Sequence, residues 1–398
     1  MIEFTTAGES HGKGLVTIVS GFPSNLKITK DYIDRQLKRR QGGYGRGLRM
    51  KIESDTVEII SGIRYSKTIG SPISMLIWNK DWENWKEIMS IDEAPNHGQK
   101  ISIPRPGHAD LVGVSKYNLN DIRNSIERSS ARETAARVAA CSVAKRFLEE
   151  FGIYVGSYVE SIGGIYQKND FDPYSKVNIN IQKISALADK SPVRVLNKSL
   201  EEKIIRKIKT AKKRGDTLGG TFYVIATGVP VGLGSFASYN TRLDADLANA
   251  IMSINAVKGV EIGDGFNSAT KYGSEVHDEI VLKNDTIIRK TNRAGGIEGG
   301  ISNGMPVIVR AAMKPIATLM NPIQTIDLKD FTNIDARRER SDFVAVPACS
   351  VIGEAMVAWI LAKRFIEKFG GDSIEETKDN YQNYINKLYP RLRKNFSK

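Results

Sequence analysis

The sequence predicts an α+β fold, a single-domain β-α-β sandwich over residues 1–398 with long central helices between antiparallel sheets. Three observations carry this. Short segments rich in Val, Ile and Thr, bounded by Gly, Pro or Ser, alternate with longer Ala-rich segments of helical period. No Pro-, Gly- or Ser-rich linker divides the chain. Finally, AKRFLEEFG at 144–152 reappears as AKRFIEKFG at 362–370, each closing a long Ala-rich helix. A weaker echo pairs GLVTIVSGFP at 14–23 with TFYVIATGVP at 221–230. These echoes suggest an internal pseudo-twofold duplication, two similar halves around one core. Chance similarity between two amphipathic helix ends accounts for them equally well.

Along the chain, residues 14–21, 56–61, 73–78, 220–227 and 305–310 read as strands. Residues 31–40, 121–151, 201–214, 243–256 and 348–369 read as helices. In 121–151, Ile122, Ile126, Val138, Cys141, Ala144 and Leu148 recur at helical spacing; Asn120 or Asp121 caps the start, and Gly152 suits a left-handed end. Residues 166–182 are polar and irregular, and predict a surface excursion.

Composition narrows the function classes. Hydrophobic residues at 41% and charged residues at 26% are globular values. The purely apolar runs, such as 356–362, fall far short of the roughly 18 residues that span a bilayer, so no membrane partner is expected. The opening MIEFTTAG lacks a basic start followed by an apolar segment, which predicts no secretory signal and a cytoplasmic location. Cys141 and Cys349 read as buried helix positions rather than a disulfide or metal site. The net charge of +13, from 58 basic and 45 acidic residues, favours anionic partners. A nucleic-acid partner is not expected: no known module is present, and the aromatics do not interleave with basic residues as a stacking platform requires.

Chemistry concentrates in a few segments. Of the histidines, His11 (GESHG, 8–12) and His108 (RPGHAD, 105–110) stand in Gly-bracketed polar turns, where an imidazole can be aimed for proton transfer. His97 reads as a loop surface residue and His277 as lying in or near a strand. No metal-ligand spacing occurs, so no metal is expected. Three arginine clusters predict a deep anion site: Arg39, Arg40, Arg46 and Arg49 in RRQGGYGRGLR, Arg128 and Arg132 in ERSSARET, and Arg337, Arg338 and Arg340 in DARRERSD. No GxxxxGK[ST] loop, dinucleotide fingerprint or nucleophile elbow is present.

Together, GESHG, RRQGGYGRG, RPGHAD, RSSARETAARVA, GDGF, GGISNG, MKPIAT and RSD resemble the marker segments of the chorismate synthase family, in that family's order, from residue 8 to beyond 340. GDGF alone is weak; GESHG, RPGHAD and RSSARET in succession are highly specific. The resemblance implies an anti-1,4-elimination of phosphate from 5-enolpyruvylshikimate 3-phosphate, dependent on reduced FMN without net redox change. It implies a fold of long central helices between antiparallel sheets, assembled as a homotetramer. By resemblance, Arg40, Arg46, Arg132 and Arg340 contact substrate or flavin, with Arg49 and Arg105 as further substrate-binding candidates. His11 protonates the departing phosphate, His108 lies near flavin N1 and O2, and Ser10 with Asp342 relays a proton near N5. Flavin contacts fall to Ser129, Ser130, Ala131, Arg132, Asn255, Ala256, Gly299, Gly300, Lys314, Pro315, Ile316, Ala317, Thr318 and Arg340. Some family members reduce their own flavin with NADPH; the sequence leaves that choice open.

Overall fold

The computed structural model describes residues 1–47, 54–93, 99–166, 171–175, 179–339 and 342–393. Arg49, His97 and Arg340 lie outside these described residues. Two four-stranded antiparallel sheets frame the molecule. The first holds Glu3–Ala7 (β1), Gly14–Ser20 (β2), Glu58–Ser61 (β3) and Ile73–Trp78 (β4), in the order β1-β2-β4-β3. The second holds Tyr154–Ile162 (β5), Gly220–Thr227 (β6), Val257–Ile262 (β7) and Val307–Met313 (β8), in the order β5-β6-β8-β7. Both sheets therefore place their first, second, fourth and third strands side by side.

Among the helices are Lys30–Gln41 (α1), Asp110–Tyr117 (α2), Ile122–Ser129 (α3), Thr134–Glu149 (α4), Ile181–Lys190 (α5), Lys198–Arg214 (α6), Leu243–Met252 (α7) and Val346–Phe369 (α8). Between the sheets, α4 packs on β1, β2 and β4, α8 packs on β5 and β6, and the two helices pack on each other. Flanked on most sides, α4 is buried nearly all round, and its Ala135, Ala136, Ala139, Ala140 and Ala144 let its neighbours approach closely. α8 is long and apolar enough to cross a bilayer, but 94% of its apolar window is buried inside the protein, as a core helix requires. At the close of the echoed segments, Phe147 and Phe365 meet edge to face at 5.6 Å, and Phe151 lies 4.4 Å from Phe365.

The predicted strands all form, within a few residues of their expected limits. The chain adds Glu3–Ala7, Tyr154–Ile162 and Val257–Ile262, whose Gly, Ser and Glu residues blur the alternation that marks a strand. The helix expected over 121–151 is two helices. Ser130 is extended (φ −62°, ψ 140°), its hydroxyl accepts from the Arg132 N–H at 3.3 Å, and a single turn, Ala131–Glu133, leads into α4. The apolar spacing runs through the break because the halves bury different faces. Ile122 and Ile126 pack with Val114 in a satellite cluster, whereas Val138 and its successors join the main core. The helix expected over 243–256 stops at Met252, which frees Asn255 and Ala256.

One buried ion cluster ties the layers together. Glu354, mid-way along α8, accepts from both Nη atoms of Arg39 (2.7 Å each), Lys145 Nζ (2.7 Å), Ser157 Oγ (2.8 Å) and Arg194 Nη2 (3.2 Å). Burial alone would raise its carboxyl, but the surrounding cations outweigh that and hold it well below the ordinary carboxylate range. The unfolded chain therefore binds more protons than the folded one as pH falls below about 4.3, and stability falls with it. Glu354→Gln strands these cations without their countercharge and is expected to cost about 3–5 kcal/mol at neutral pH. Denaturant titrations of both proteins from pH 7 to 4 test this, and the variant should show the shallower loss on acidification.

Candidate active site

The β1–β2 hairpin delivers the first group. Gly8 has φ +105°, and a Cβ there would sit 2.3 Å from the Gly14 carbonyl oxygen, so the turn needs glycine. The buried Asn79 donates to the carbonyls of Glu9 (3.1 Å) and Gly12 (2.7 Å), pinning the loop. The Ser10 N–H donates to the Glu127 carbonyl (3.0 Å), and the Ser130 hydroxyl donates to Ser10 Oγ (3.1 Å). The His11 backbone N–H donates to Glu127 Oε2 at 2.7 Å, while its Nδ1 lies 2.9 Å from Oε1. The ring stacks on Trp85 with centroids 3.9 Å apart.

Arginines form the second group. Arg40, from the last turn of α1, bonds Thr134 Oγ1 (3.0 Å) and the Ala131 carbonyl (2.9 Å). Arg132 bonds Asn79 Oδ1 at 2.9 Å, and the fully buried Asp55 carboxylate joins Arg132 (2.5 Å) to Arg40 (3.4 Å). Arg46 pairs with Asp342 (3.0 Å), which also accepts from the Gly47 N–H (2.6 Å). Burial pushes the Arg40 guanidinium down to about 10 against the pull of Asp55, and neighbouring Arg132 and Arg46 push the same way. Such crowded cations favour an added anion. Arg39, read from sequence as part of this wall, instead turns into the core toward Glu354.

The third group surrounds His108. Its Nδ1 lies 2.5 Å from Oδ1 of Asp110, which heads α2 and is fully buried. Burial would raise the Asp110 carboxyl, but His108 and Arg105 outweigh it and hold it well below the usual carboxylate range. Arg105 is committed within the protein, to Asp110 (2.9 and 3.0 Å), Thr318 Oγ1 (3.0 Å) and Glu339 (2.9 Å).

These groups close into a ring. Asn255 Nδ2 donates to the Ser129 carbonyl (3.1 Å), the Ala256 carbonyl accepts from the Lys314 N–H (2.9 Å), and Lys314 Nζ donates to the Gly107 carbonyl. Ser125 Oγ donates to the Ala109 carbonyl (3.0 Å), so α3 holds both histidine loops, one through Ser125 and one through Glu127. Ile316 turns into the core and its carbonyl accepts from Thr217 (2.7 Å), Pro315 is exposed, and Ala317 lies beside Gly107. Gly300 stands apart: its carbonyl accepts from the Leu243 N–H (2.9 Å) at the opposite end of α7 from Asn255, with Gly299 beside it. A surface cavity of about 510 Å³ lined by Ile262, Val276, His277 and Arg293 shares none of these residues, and its Arg293 is already paired with Asp264 at 3.0 Å.

The comparisons with known proteins agree over nearly the whole length. A family model described as chorismate synthase matches residues 2–366. The chain belongs to the chorismate synthase family. It is 54% identical over 390 residues to the chorismate synthase of Chloroherpeton thalassium, covering 97% of this chain and 100% of that one. It is 50% identical over 391 residues to that of Aquifex aeolicus, covering 97% and 98%. A crystal structure of chorismate synthase superposes with a TM-score of 0.79 at 42% identity, covering 97% of each chain.

Sequence reasoning singled out most of the ring but missed Glu127, Asp55, Asn79 and Trp85 as partners. The first stood inside a quoted motif; the other three carry no local signal. Asp55 is the countercharge most directly open to test. Asp55→Asn should destabilise the protein by about 3–5 kcal/mol by leaving Arg40 and Arg132 without their shared carboxylate. Millimolar inorganic phosphate should then raise the melting temperature of the variant more than that of the parent, since a bound anion restores the missing charge. Differential scanning fluorimetry reads both.

Proposed function

We propose that the chain converts 5-enolpyruvylshikimate 3-phosphate to chorismate by anti-1,4-elimination of phosphate, with reduced FMN and no net redox change. The observation that carries the reading is the ring itself, which gathers two oriented histidines, three arginines and the Ser129–Ala131, Asn255–Ala256 and Lys314–Thr318 segments. The flavin fits an unmet need there: Asn255 Oδ1 is buried and has no hydrogen-bond partner among the described residues, so it suits a ring N–H. Ser129, Ser130, Ala131 and Ala256 would hold the ring edge, and Lys314 the phosphate, with Gly299 or Gly300, Pro315 to Thr318 and Arg340 as further contacts. Held by these residues, reduced FMN would supply the electron-transfer chemistry that the elimination needs.

The protein's own part is charge and proton control. Arg40, Arg46 and Arg132 bind the carboxylates and phosphate of the substrate; Arg49 and Arg340, outside the described residues, complete that set. His11 protonates the leaving phosphate, which lowers the charge that must be expelled. His108, held by Asp110, would stabilise negative charge on a reduced flavin bound beside it. Arg105 serves by fixing Asp110 and His108 rather than by reaching substrate. Ser10 and Asp342 provide a proton relay.

The assembly is read as a cytoplasmic homotetramer of single-domain chains. What supports association is the outer face of the first sheet, where Val16, Ile18, Leu76 and Trp78 form an apolar stripe and Ile18 and Trp78 are about half exposed. What supports duplication is the shared strand order and the meeting of Phe147 with Phe365.

Anaerobic chorismate formation with chemically reduced FMN tests the reaction. Turnover is expected with reduced FMN and none with oxidised FMN; a second arm with NADPH as sole reductant shows whether this chain reduces its own flavin. His11→Ala and His108→Ala should each lower kcat by about 10²–10⁴-fold. Ile18→Glu should shift the species seen by light scattering toward smaller assemblies.

A further inference from the structure

We infer that Glu127 is a positioning residue that selects which nitrogen of His11 exchanges the proton. This rests on the proposed role of His11 as proton donor. The carboxylate meets two donors of the same residue, the His11 backbone N–H at Oε2 (2.7 Å) and Nδ1 at Oε1 (2.9 Å). A carboxylate only accepts, so this arrangement requires a proton on Nδ1 and leaves Nε2 as the nitrogen that carries the exchangeable one. Glu127 is itself 2% exposed, and Arg123 stands 3.8 Å from its Oε1. Trp85 contributes the other constraint: stacking at 3.9 Å sets the plane of the His11 ring, while Glu127 sets its rotation within that plane.

The role separates from simple loop anchoring. The loop is tethered to α3 by the Ser10 N–H on the Glu127 backbone carbonyl (3.0 Å), a bond that survives any side-chain change at 127. Asn79 holds the same loop through the carbonyls of Glu9 and Gly12. Removing the carboxylate therefore frees the imidazole more than the loop. Alanine is the sharper probe, because glutamine keeps one acceptor oxygen, and the Oε2 position lies 2.7 Å from the His11 backbone N–H and 3.1 Å from Nδ1. With its oxygen there, glutamine puts its NH₂ at the Oε1 position, 2.9 Å from Nδ1, and weakens the preference for a proton on that nitrogen.

The test pairs kinetics with ring ¹⁵N NMR of histidine-labelled protein, assigned by His11→Ala. In the parent, the His11 signals should show a protonated Nδ1; in Glu127→Ala that preference should be lost, and in Glu127→Gln weakened. Glu127→Gln and Glu127→Ala should lower kcat about 10²-fold with KM for 5-enolpyruvylshikimate 3-phosphate nearly unchanged and melting temperatures close to the parent. Glu127→Asp should recover part of kcat. The double variant with His11→Ala should be no slower than His11→Ala alone, because Glu127 acts only through that ring. Unchanged His11 nitrogen shifts in Glu127→Ala, or full turnover there while His11→Ala is impaired, would overturn the inference and leave the His11 assignment standing. Full turnover in His11→Ala would sink both.

Discussion

Everything in this molecule hangs on the close packing of α4 against α8 between the two sheets. The alanines of α4 make that approach possible, and Phe147, Phe151, Phe365 and Phe369 fill the space at its far end. A polar group buried in that seam is withdrawn from bulk solvent and must find its partners in the protein. Glu354 finds them in Arg39, Lys145, Arg194 and Ser157. Because Arg39 comes from α1, Lys145 from α4 and Arg194 from the segment before α6, this one carboxylate joins parts of the chain that no local interaction brings together.

The same arrangement aims the site. Arg39 points at Glu354, and its helical neighbour Arg40 points the other way, to Asp55, Thr134 and the Ala131 carbonyl. The break at Ser130 matters equally. Had the helix run through, the Ser129 carbonyl would have been spent on an intrahelical bond; in the extended turn it accepts from Asn255 instead. A helix interruption thus becomes the joint between the hairpin carrying Ser10 and His11 and the segment carrying Asn255 and Ala256. The electrostatics follow from this geometry. Arg40, Arg46 and Arg132 converge, while Asp55 and Asp342 offset only part of their charge. The overall excess of +13 therefore has a local expression at these three arginines, which suits the anion-binding role proposed for them.

Much of this was legible in the residues. Alternation of β-branched segments with Ala-rich helices announced the layered α+β class, and the predicted strands formed close to their expected limits. Glycine-bracketed histidines and clustered arginines marked the site segments, and the marker order announced the family that the comparisons then identified. The single helix expected over 121–151 failed because hydrophobic spacing cannot tell one helix from two that bury different faces. The early end of α7 escaped for a related reason: Asn255 is tied to Ser129 and Ala256 to Lys314, contacts across more than fifty residues.

By itself, then, the sequence determined the element types, the anion-binding character and the chemistry on offer, because these follow from residue type and short-range period. Only the tertiary structure decided which charges face the core and which face the site. Arg39 and Arg40 are identical side chains about 100° apart on one helix, and nothing local distinguishes them. Their difference is set by Glu354, 315 residues beyond Arg39, and by Asp55, which sits beyond a glycine-rich turn. The pairing of His11 with Glu127 has the same origin, a carboxylate 116 residues away brought into reach by the packing of α3 against the first hairpin. Coulombic and hydrogen-bonding partners act over a few ångströms of space, and chain order carries no measure of that distance until the core has formed.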